Sequence, residues 1–320
     1  MNVLITGGLG FIGSNFVKYL VTARPDLNIT IYDALTYSGR RENIKGIEDK
    51  VTLLIQDIRN TDAMSAAVKG KDIVYHFAAE SHVDNSISNA LPFMETNFIG
   101  TYSVLEAVRQ HNVPHLVNIS TSEVYGTALD EEMSEEHPMN PQSPYAAAKA
   151  GADRLCYAYY KTYNLPVTII RPFNNYGPQQ YPEKLIPHFY TEAHYDRPLG
   201  VYGDGRATRD WLFVMDHAEA LAILLERKFP GEVINLGTGV DVSVNDIANL
   251  ILKELGKPKE LLRQVQDRPG HVRKHVSSTD KAKKLLGWKA KTSFKEGLKR
   301  TLRWYRSNKS WWDPLVKSKR

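Results

Sequence analysis

Asn2-Val-Leu-Ile-Thr-Gly-Gly-Leu-Gly-Phe-Ile-Gly13 joins an apolar run to a turn with glycines at every third position. The run is predicted to be a strand, and the amphipathic pattern after it predicts a helix through about Thr22. Such glycines allow a tight turn and a close approach of backbone to pyrophosphate, while the amino end of the helix favours negative charge. A strand, glycine turn and helix in this order are typical of a dinucleotide-binding fold. The cofactor contacts predicted here are Gly7, Gly10, Phe11, Ile12 and Gly13.

An acidic residue ends the next predicted strand. Asn28-Ile-Thr-Ile-Tyr32 leads into Asp33, which lies 20 residues after Gly13. A carboxylate at that position is expected to bond the ribose hydroxyls of the adenosine. Because it would also repel a 2′-phosphate, the sequence predicts NAD in preference to NADP.

Two further apolar runs, Val51–Ile55 and residues 72–77, predict the next strands. An acid and a hydrophobe beyond the first run are expected to hold the adenine, and small residues beyond the second leave space for a flat ring. Strands that alternate with helices predict an α/β fold, a Rossmann-type doubly wound parallel sheet with ligands at the carboxyl ends of its strands. The further cofactor contacts predicted are Asp57, Ile58, Ala78 and Ala79.

A second group of polar residues follows the apolar run 115–119. Thr121-Ser122-Glu123 presents hydroxyls and a carboxylate where that predicted strand ends. Tyr145 and Lys149 are four residues apart, which on a helix is one face. Since an ammonium beside a phenol favours the phenolate, the pKa of Tyr145 is expected well below its usual value of about 10. Such a group takes a proton from an alcohol when NAD accepts the hydride. The predicted catalytic residues are Thr121, Ser122, Glu123, Tyr145 and Lys149, of which Tyr145 and Lys149 also contact the cofactor.

The overall composition is that of an ordinary enzyme. The 320 residues are 42% hydrophobic and 24% charged, with a net charge of +5 from 41 basic and 36 acidic residues. This mild excess, much of it in a solvated stretch at 295–320, predicts no nucleic-acid partner. No apolar run reaches membrane-spanning length, and no metal site is predicted. One cysteine, Cys156, excludes an intrachain disulfide and favours a reducing compartment, so a cytoplasmic location is predicted.

The alternation of strands and helices loosens after Lys149. Residues 1–170 are predicted to form an NAD-binding domain, to which some later segments return. Residues 171–320 are predicted to form mainly a smaller α/β substrate-binding domain, with helices at 216–227 and Val244–Leu255. Arg209 and Arg273 carry forked donors of the kind that neutralise pyrophosphate oxygens.

With these pieces assembled, the chain resembles an extended short-chain dehydrogenase/reductase. More narrowly, it is similar to the nucleotide-diphosphate-sugar 4,6-dehydratases, especially those that act on dTDP-glucose. The resemblance runs from Met1 to about Pro314, and the glycine turn and the Tyr145/Lys149 pair mark only the superfamily. More specific segments carry the narrower resemblance: Ala78-Ala-Glu-Ser-His-Val-Asp84, Asn174-Asn-Tyr-Gly-Pro178, Pro182-Glu-Lys-Leu-Ile-Pro187, Val201-Tyr-Gly-Asp-Gly205, Arg209-Asp-Trp211 and Asp267-Arg-Pro-Gly-His271.

The resemblance implies a bound NAD, a nucleotide-diphosphate-sugar substrate, and a homodimer formed through helices at 101–111 and 145–163. It implies that Tyr145 takes the proton of the sugar C4 hydroxyl, which Thr121 positions, and that Glu123 takes the C5 proton. Loss of the C6 hydroxyl as water would then give a 4-keto-6-deoxy sugar. The substrate contacts implied are Ser81, Asn174, Lys184, Leu185, Arg209, Asn235 and Arg273.

Two departures from the dTDP-glucose enzymes leave the substrate open. Those enzymes usually carry Thr-Asp-Glu where this chain has Thr121-Ser122-Glu123, and commonly have arginine at the position of Asn85. The Thr-Ser-Glu triplet is instead similar to GDP-mannose 4,6-dehydratases, some UDP-N-acetylglucosamine 4,6-dehydratases and UDP-glucuronate decarboxylases. Since Ser122 is too weak an acid to protonate a departing hydroxyl, Glu123 is expected to return its own proton to that oxygen.

Three alternative functions remain at this point. A UDP-glucuronate decarboxylase shares the C4 oxidation, but usually has Ser-Pro near the position of Glu80 and Asp-Pro after Tyr125-Gly126, and this chain has neither. In a 4-epimerase, a C5 base such as Glu123 would be surplus. A non-catalytic, NAD-sensing binding protein characteristically lacks the pair that Tyr145 and Lys149 form here.

Overall fold

The computed structural model describes residues 1–267 and 269–317. Arg268, within the motif Asp267-Arg-Pro-Gly-His271, lies outside the described residues, as do Ser318, Lys319 and Arg320 of the basic carboxy-terminal stretch. No helix in the described part is long and apolar enough to cross a membrane.

Strands and helices alternate in the first half of the chain and become shorter in the second. The strands of the described residues are Asn2–Thr6 (β1), Asn28–Asp33 (β2), Val51–Ile55 (β3), Ile73–His76 (β4), Leu116–Ile119 (β5), Val167–Pro172 (β6), Asn174–Tyr176 (β7), Leu199–Tyr202 (β8), Thr208–Phe213 (β9), Val233–Leu236 (β10), Asp241–Ser243 (β11), Leu262–Val265 (β12) and Lys274–His275 (β13). The α-helices are Phe11–Ala23 (α1), Thr61–Val68 (α2), Val83–Ser88 (α3), Leu91–Phe93 (α4), Gly100–Gln110 (α5), Pro144–Tyr163 (α6), Leu185–His194 (α7), Val214–Ile223 (α8), Val244–Leu255 (α9), Asp280–Leu286 (α10), Phe294–Ser307 (α11) and Lys309–Lys317 (α12). A π-helical turn, Met94–Ile99, joins α4 to α5, and 3₁₀ turns lie at Arg41–Ile44, Glu48–Lys50, Ser122–Tyr125 and Lys259–Leu261.

Seven strands form one parallel sheet in the order β10-β6-β5-β4-β1-β2-β3. The chain runs outward from β1 to β3 and then crosses to β4 on the other side of β1. This reversal leaves a crevice at the carboxyl ends of β1 and β4, which is where doubly wound sheets bind their ligands. The predicted α/β, Rossmann-type fold is confirmed.

Helices cover both faces of this sheet, which explains why its strands are mostly apolar. Side chains alternate between the faces along each strand. In β1, Val3 and Ile5 pack in the core that includes residues of α1 and α8, whereas Leu4 packs with residues of α2, α5 and α6. The glycine turn after β1 is therefore fixed between two packed layers.

The second half builds a separate core around shorter strands. In this half β9 lies between β11 and β13 and also pairs with β7, while β8 pairs with β12. Their core includes side chains of α7, α9, α11 and α12, with Trp312 fully buried in it. One later strand, β10, returns to the main sheet and pairs in parallel with β6.

Helix α6 carries the predicted Tyr145/Lys149 face, and local sequence signals explain its bounds. Ser143 caps its amino end by accepting a hydrogen bond from the backbone N–H of Ala146, and Pro144 occupies the first turn. Asn164 ends it in the left-handed conformation at φ 54°. The helix thus starts one residue before Tyr145, which lies in its first turn.

A buried ion pair ties α6 to β6. The Nε atom of Arg171 donates to Oδ2 of Asp153 at 2.8 Å, and Nη2 donates to Oδ1 at 2.9 Å. The third nitrogen, Nη1, donates to the Tyr125 hydroxyl at 2.9 Å, at the end of the 3₁₀ turn Ser122–Tyr125. Arg171 and Asp153 are almost completely buried. The pair thus connects the helix that carries Tyr145 to the turn that carries Glu123.

We expect Arg171→Ala to destabilise the fold by about 3–5 kcal/mol, because it leaves the Asp153 carboxylate buried with most of its charge uncompensated. Arg154→Ala is a matched control, since Arg154 bonds the same carboxylate from an exposed position. Its loss is expected to cost no more than about 1 kcal/mol. Urea unfolding at constant pH measures both changes, and equal small losses in the two variants would contradict the assignment.

Candidate active site

A cavity of about 1150 Å³ opens along the carboxyl ends of the central strands and continues into the second half of the chain. It exceeds the roughly 300–1,000 Å³ of ordinary small-molecule pockets and has room for more than one ligand. Most of the site residues predicted from the sequence line this cavity: Gly7, Gly10, Phe11, Ile12, Gly13, Asp33, Asp57, Ile58, Ala78, Ala79, Ser81, Thr121, Ser122, Glu123, Tyr145, Lys149, Asn174, Lys184, Leu185 and Arg209.

The glycine turn is packed too closely for any side chain. Gly7 has φ +69°, and a Cβ there would lie 2.6 Å from the backbone nitrogen of Ala78. A Cβ at Gly13 would lie 2.3 Å from the Gly7 carbonyl oxygen. The exposed backbone of this turn therefore borders the cavity, and α1 begins there without an acidic residue in its first turn. Such a cradle fits the pyrophosphate of a dinucleotide.

Asp33 ends β2 at the wall of the same cavity. Its two carboxylate oxygens accept hydrogen bonds from the backbone N–H groups of Leu9 and Leu35, each at 2.9 Å. Burial raises the pKa of this carboxyl above its usual value, while the two backbone hydrogen bonds oppose that effect. Since each carboxylate oxygen accepts more than one hydrogen bond, Asp33 keeps the capacity to bond ribose hydroxyls.

Hydrogen bonds and an ion pair fix the cavity wall around Asp57. Hydrogen bonding to Arg59 holds the pKa of Asp57 below its usual value, and Arg59 also pairs with Glu95 at 2.8 Å. The Tyr32 hydroxyl donates to the Asp57 backbone carbonyl at 2.9 Å. Asp57 is therefore fixed at the cavity wall, where the sequence predicted an adenine contact.

The predicted catalytic residues come together from β5 and α6. Thr121 caps the 3₁₀ turn after β5, and its Oγ1 atom accepts a hydrogen bond from the Glu123 backbone N–H at 3.2 Å. The Tyr145 hydroxyl is hydrogen bonded to Thr121. Lys149, one turn along the helix, donates from Nζ to the Ile119 carbonyl at 2.7 Å. A carboxylate, a phenol and a hydroxyl thus face one part of the cavity.

The predicted lowering of the Tyr145 pKa by Lys149 is wrong for the protein chain by itself. Burial raises the pKa of Tyr145 to about 12, and the hydrogen bond with Thr121 opposes this only in part. Burial also lowers the pKa of Lys149 to about 8, and its ammonium is directed to the Ile119 carbonyl. Desolvation dominates because the phenol is enclosed, and Lys149 is not among the groups that lower its pKa.

The second half contributes cations and an amide to the cavity wall. Lys184 donates from Nζ to the Ser81 carbonyl at 2.8 Å, which links the segment before α7 to the loop after β4. The Arg209 guanidinium is largely buried, with Nη1 donating to the Thr208 carbonyl at 2.9 Å. Asn174, at the start of β7, also lines the cavity. These residues line the same cavity as Tyr145 and Glu123.

Two predicted substrate contacts, Asn235 and Arg273, do not line the cavity. Asn235 is fully buried on β10, where its side chain accepts from the Tyr125 hydroxyl at 2.8 Å and donates to the Met133 carbonyl at 3.0 Å. Arg273 is an exposed residue just before β13. The cavity lining supports neither contact, since one side chain is bonded within the core and the other lies on the surface, and both stay predictions.

Several cavity residues were not singled out from the sequence. Glu183 accepts a hydrogen bond from the Tyr37 hydroxyl at 2.7 Å, and its carboxylate lies 4.0 Å from Nε2 of His82. Burial raises the pKa of Glu80, and the charge of Glu183 adds to that effect. Glu183 belongs to the specific segment 182–187, which was a usable signal. Tyr37, which contacts Glu183 but does not itself line the cavity, comes from a loop after β2 that carries no such signal.

Comparison with known proteins agrees with this geometry. The model of the GDP-mannose 4,6 dehydratase family matches residues 4–301. A dTDP-glucose 4,6-dehydratase of Streptomyces niveus is 42% identical over 323 residues, which cover 98% of this chain and 96% of the relative. The crystal structure of DesIV, a dTDP-glucose 4,6-dehydratase of Streptomyces venezuelae with NAD bound, is 41% identical with a TM-score of 0.96, covering 98% of this chain and 100% of that one.

The same fold also carries a different reaction. The structure of a UDP-glucose 4-epimerase of Thermotoga maritima with UDP-glucose has a TM-score of 0.90 at 31% identity, and the match covers 96% of this chain and 99% of that one. Overall shape therefore does not separate a dehydratase from an epimerase, and the separation depends on the site residues. The family match and the similarity to dehydratases along nearly the whole length confirm the resemblance stated above. This chain belongs to the GDP-mannose 4,6-dehydratase family of extended short-chain dehydrogenase/reductases.

Proposed function

We propose that the chain is an NAD-dependent nucleotide-sugar 4,6-dehydratase, which converts a nucleotide-diphosphate hexose to the 4-keto-6-deoxy sugar nucleotide. The observation that carries this proposal is the position of Glu123 beside the Tyr145–Thr121 pair in one cavity. When bound, NAD supplies the carrier of the hydride removed from C4 and returned to C6, and a positive ring charge that favours the Tyr145 phenolate. Gly7, Gly13 and Asp33 are the residues that would hold it.

In this proposal Tyr145 takes the proton of the C4 hydroxyl. Thr121 is hydrogen bonded to the phenol, so it places a second hydroxyl beside the C4 oxygen. Lys149 fixes the helix face against the end of β5 through the Ile119 carbonyl. Oxidation at C4 makes the C5 proton acidic, because the new carbonyl stabilises the carbanion beside it.

Glu123 then takes the C5 proton, and the electron pair left at C5 expels the C6 hydroxyl. The departing oxygen needs a proton, since hydroxide is a poor leaving group. Ser122 is nearly fully buried and has no acidic proton to give at neutral pH. Glu123 therefore returns the proton it has taken, water leaves, and the carboxylate is regenerated. As hydride then adds to C6, C5 regains a proton that is drawn from solvent.

The proposed substrate is a nucleotide-diphosphate hexose, bound mainly by the second half of the chain. Residues 171–320 would mainly bind the nucleotide sugar, with Arg209, Lys184 and Asn174 near its diphosphate and hexose, while residues 1–170 would bind NAD. The relatives named dTDP-glucose 4,6-dehydratase favour dTDP-glucose, and a UDP-hexose is the second choice. Ser122 favours one other candidate, a UDP-glucuronate decarboxylase, which oxidises C4 and then releases carbon dioxide.

The test is to incubate the purified protein with dTDP-glucose, UDP-glucose, UDP-N-acetylglucosamine and UDP-glucuronate separately. Strong base is then added, because a 4-keto-6-deoxy product absorbs near-ultraviolet light under those conditions. We expect this absorbance with at least one of the three hexose donors. Carbon dioxide release from UDP-glucuronate, without absorbance from any hexose donor, would establish the decarboxylase instead. A C4 epimer as the product would establish the epimerase.

A homodimer and a cytoplasmic location belong to the same proposal. Exposed apolar side chains cluster on the helices from α3 to α5, including Leu91, with 63% of its surface exposed, and Ile99, with 50%. These helices contact α6, which adds exposed Tyr157 and Tyr163. A patch of this kind on helices is typical of a subunit interface. Cys156, fully buried and unoxidised, suits a reducing compartment, and cell fractionation tests that location.

Light scattering is expected to give the mass of two chains for the wild-type protein and of one chain for Ile99→Glu. A carboxylate in the centre of an apolar interface must be desolvated without a partner, which disfavours association. Val240→Glu is the control, because Val240 is 64% exposed but lies in the loop before β11. If the Ile99→Glu variant stays dimeric, the subunit interface lies on another surface of the protein.

A further inference from the structure

A buried histidine lies behind the proposed base. His275, the last residue of β13, is fully buried and does not line the cavity. Its Nε2 atom lies 2.6 Å from the Gly126 carbonyl oxygen, which only accepts hydrogen bonds, so Nε2 carries the proton. The other ring nitrogen, Nδ1, lies 3.8 Å from Oε1 of Glu123. Among the described residues Nδ1 has no hydrogen-bond partner.

The surroundings keep this imidazole neutral. Burial lowers the pKa of His275 to about 4, and the nearby Arg209 guanidinium adds to that effect, while Glu123 opposes it. Arg209 is the register partner of His275 on the neighbouring strand β9. His137 also lowers this pKa, and the rings of Phe173 and His275 meet edge to face with their centroids 6.1 Å apart. At neutral pH the Glu123 carboxylate therefore faces an uncharged nitrogen with a free lone pair.

This contact has opposite effects on the two forms of Glu123. An ionised carboxylate gains nothing from a lone pair, because both groups only accept hydrogen bonds. A protonated carboxyl has an O–H to donate, and a small rotation of the carboxyl group brings Oε1 within hydrogen-bond distance of Nδ1. Hydrogen bonding to the neutral form of an acid favours that form. The neutral imidazole of His275 thus makes the Glu123 carboxylate a stronger base.

We propose that His275 is a positioning residue that accepts a hydrogen bond from protonated Glu123 and holds the C5 proton until the C6 hydroxyl leaves. The inference rests on the function proposed above. The C5–H bond breaks, its proton moves to Glu123, and its electron pair expels the C6 hydroxyl. The proton then passes from Glu123 to the departing oxygen, which leaves as water. His275 neither gains nor loses a proton in these steps.

This role of His275 matters because Ser122 cannot supply the proton that the departing oxygen needs. With a serine next to the base, one carboxyl group has to take a proton and give it back within one turnover. A neutral acceptor behind that carboxyl, on the side away from the cavity, stabilises the proton-carrying form. The tautomer that this requires is fixed by the Gly126 carbonyl, which is itself held by the turn that follows Glu123.

Two substitutions distinguish a role of His275 through Glu123 from a purely structural role. His275→Gln places an amide N–H where Nε2 was, so it keeps a donor for Gly126 and removes the acceptor that faces Glu123. His275→Asn places an amide oxygen near the position of Nδ1, so it keeps the acceptor and removes the Gly126 hydrogen bond. A role through Glu123 predicts that the Gln variant is the more damaged in proton transfer. A merely structural role predicts that the Asn variant is.

The measurements are the exchange of the C5 proton in D₂O and the pH profile of kcat/KM, with the nucleotide sugar that the wild-type protein dehydrates. For His275→Gln we expect exchange to slow roughly 3- to 10-fold, because the rate of proton transfer follows base strength. The acid limb of its kcat/KM profile should shift to lower pH by about one unit, since a weaker base stays ionised to lower pH. KM should not change. The limb position does not depend on the fraction of folded enzyme.

The ionisation of Glu123 is also visible without catalysis, as the infrared carboxyl absorbance of each protein minus that of the corresponding Glu123→Gln variant. We expect His275→Gln, but not His275→Asn, to lower the pH at which this band disappears. A wild-type acid limb and wild-type exchange in His275→Gln would overturn the inference while leaving the dehydratase intact. A wild-type protein that produces no 4-keto sugar would remove the proposed function and this inference together.

Discussion

Glu123→Gln is expected to abolish water elimination while leaving oxidation at C4 intact. A positioned general base contributes about 10²–10⁴-fold to the rate, so turnover should fall by at least that much. The amide keeps the size and the backbone hydrogen bond of residue 123 to Thr121, so the fold and the phenol are not disturbed. The Glu123→Gln variant should reduce the bound NAD, which is seen as absorbance of the reduced form, and then stop before water elimination. Exchange of the C5 proton with D₂O, followed by nuclear magnetic resonance, should be absent.

Glu132→Gln is the control for this variant, because Glu132 is exposed and does not line the cavity. It should exchange the C5 proton at the wild-type rate. Ser122→Ala is informative as well: a small effect is expected, since Ser122 has no proton to give at neutral pH. Normal C5 exchange in Glu123→Gln would remove Glu123 as the base and with it the assigned elimination step.

Tyr145→Phe is expected to slow C4 oxidation by about 10²–10⁴-fold, because the phenol is the group assigned to take the hydroxyl proton. Phenylalanine keeps the ring contact with Phe93, whose centroid lies 6.3 Å from that of Tyr145. Nucleotide-sugar binding should therefore be retained. Single-turnover reduction of the cofactor with substrate deuterated at C4 measures this step directly.

Tyr160→Phe is the matched control, since Tyr160 lies on the same helix and does not line the cavity. Its rate should equal that of the wild-type protein. The pH dependence gives a second readout. Burial raises the pKa of Tyr145 to about 12, so the phenol of the protein chain alone is protonated at neutral pH. Oxidation by the wild-type protein should speed up as pH rises towards ionisation of the phenol, and Tyr145→Phe should lose that dependence. An unchanged rate in Tyr145→Phe would exclude the phenol as the base.

The parts of the site that sequence predicted are those set by local spacing. Gly7 and Gly13 are close in the chain, and Gly13 packs directly against the Gly7 carbonyl, which needs only one strand, one turn and one helix. Asp33 ends the very next strand. Tyr145 and Lys149 share a helix face whatever the rest of the fold does. Each of these predictions placed its residue on the wall of the cavity.

The predictions that the structure does not support concern surroundings rather than spacing. The pKa of Tyr145 depends on how completely α6 and the sheet enclose the phenol, and burial raises it. Asn235 follows a strand pattern, but its amide is consumed by Tyr125 and Met133 in the core. Arg273 stands two residues before His275, and the strand after it turns the histidine inward while the arginine stays on the surface.

By itself the sequence determined the doubly wound fold, the glycine turn and the residues proposed to carry acid–base chemistry, because each prediction used spacings between near neighbours in the chain. Only the tertiary structure decided which electrostatic environment those residues have. The pairing of β13 with β9 brings His275 behind Glu123, with a hydrogen bond to Gly126 that spans 149 positions of the chain. No local pattern encodes such a contact, since it depends on the packing of the whole second half against the first. Desolvation and long-range partners therefore set the strength of the base that the sequence had already located.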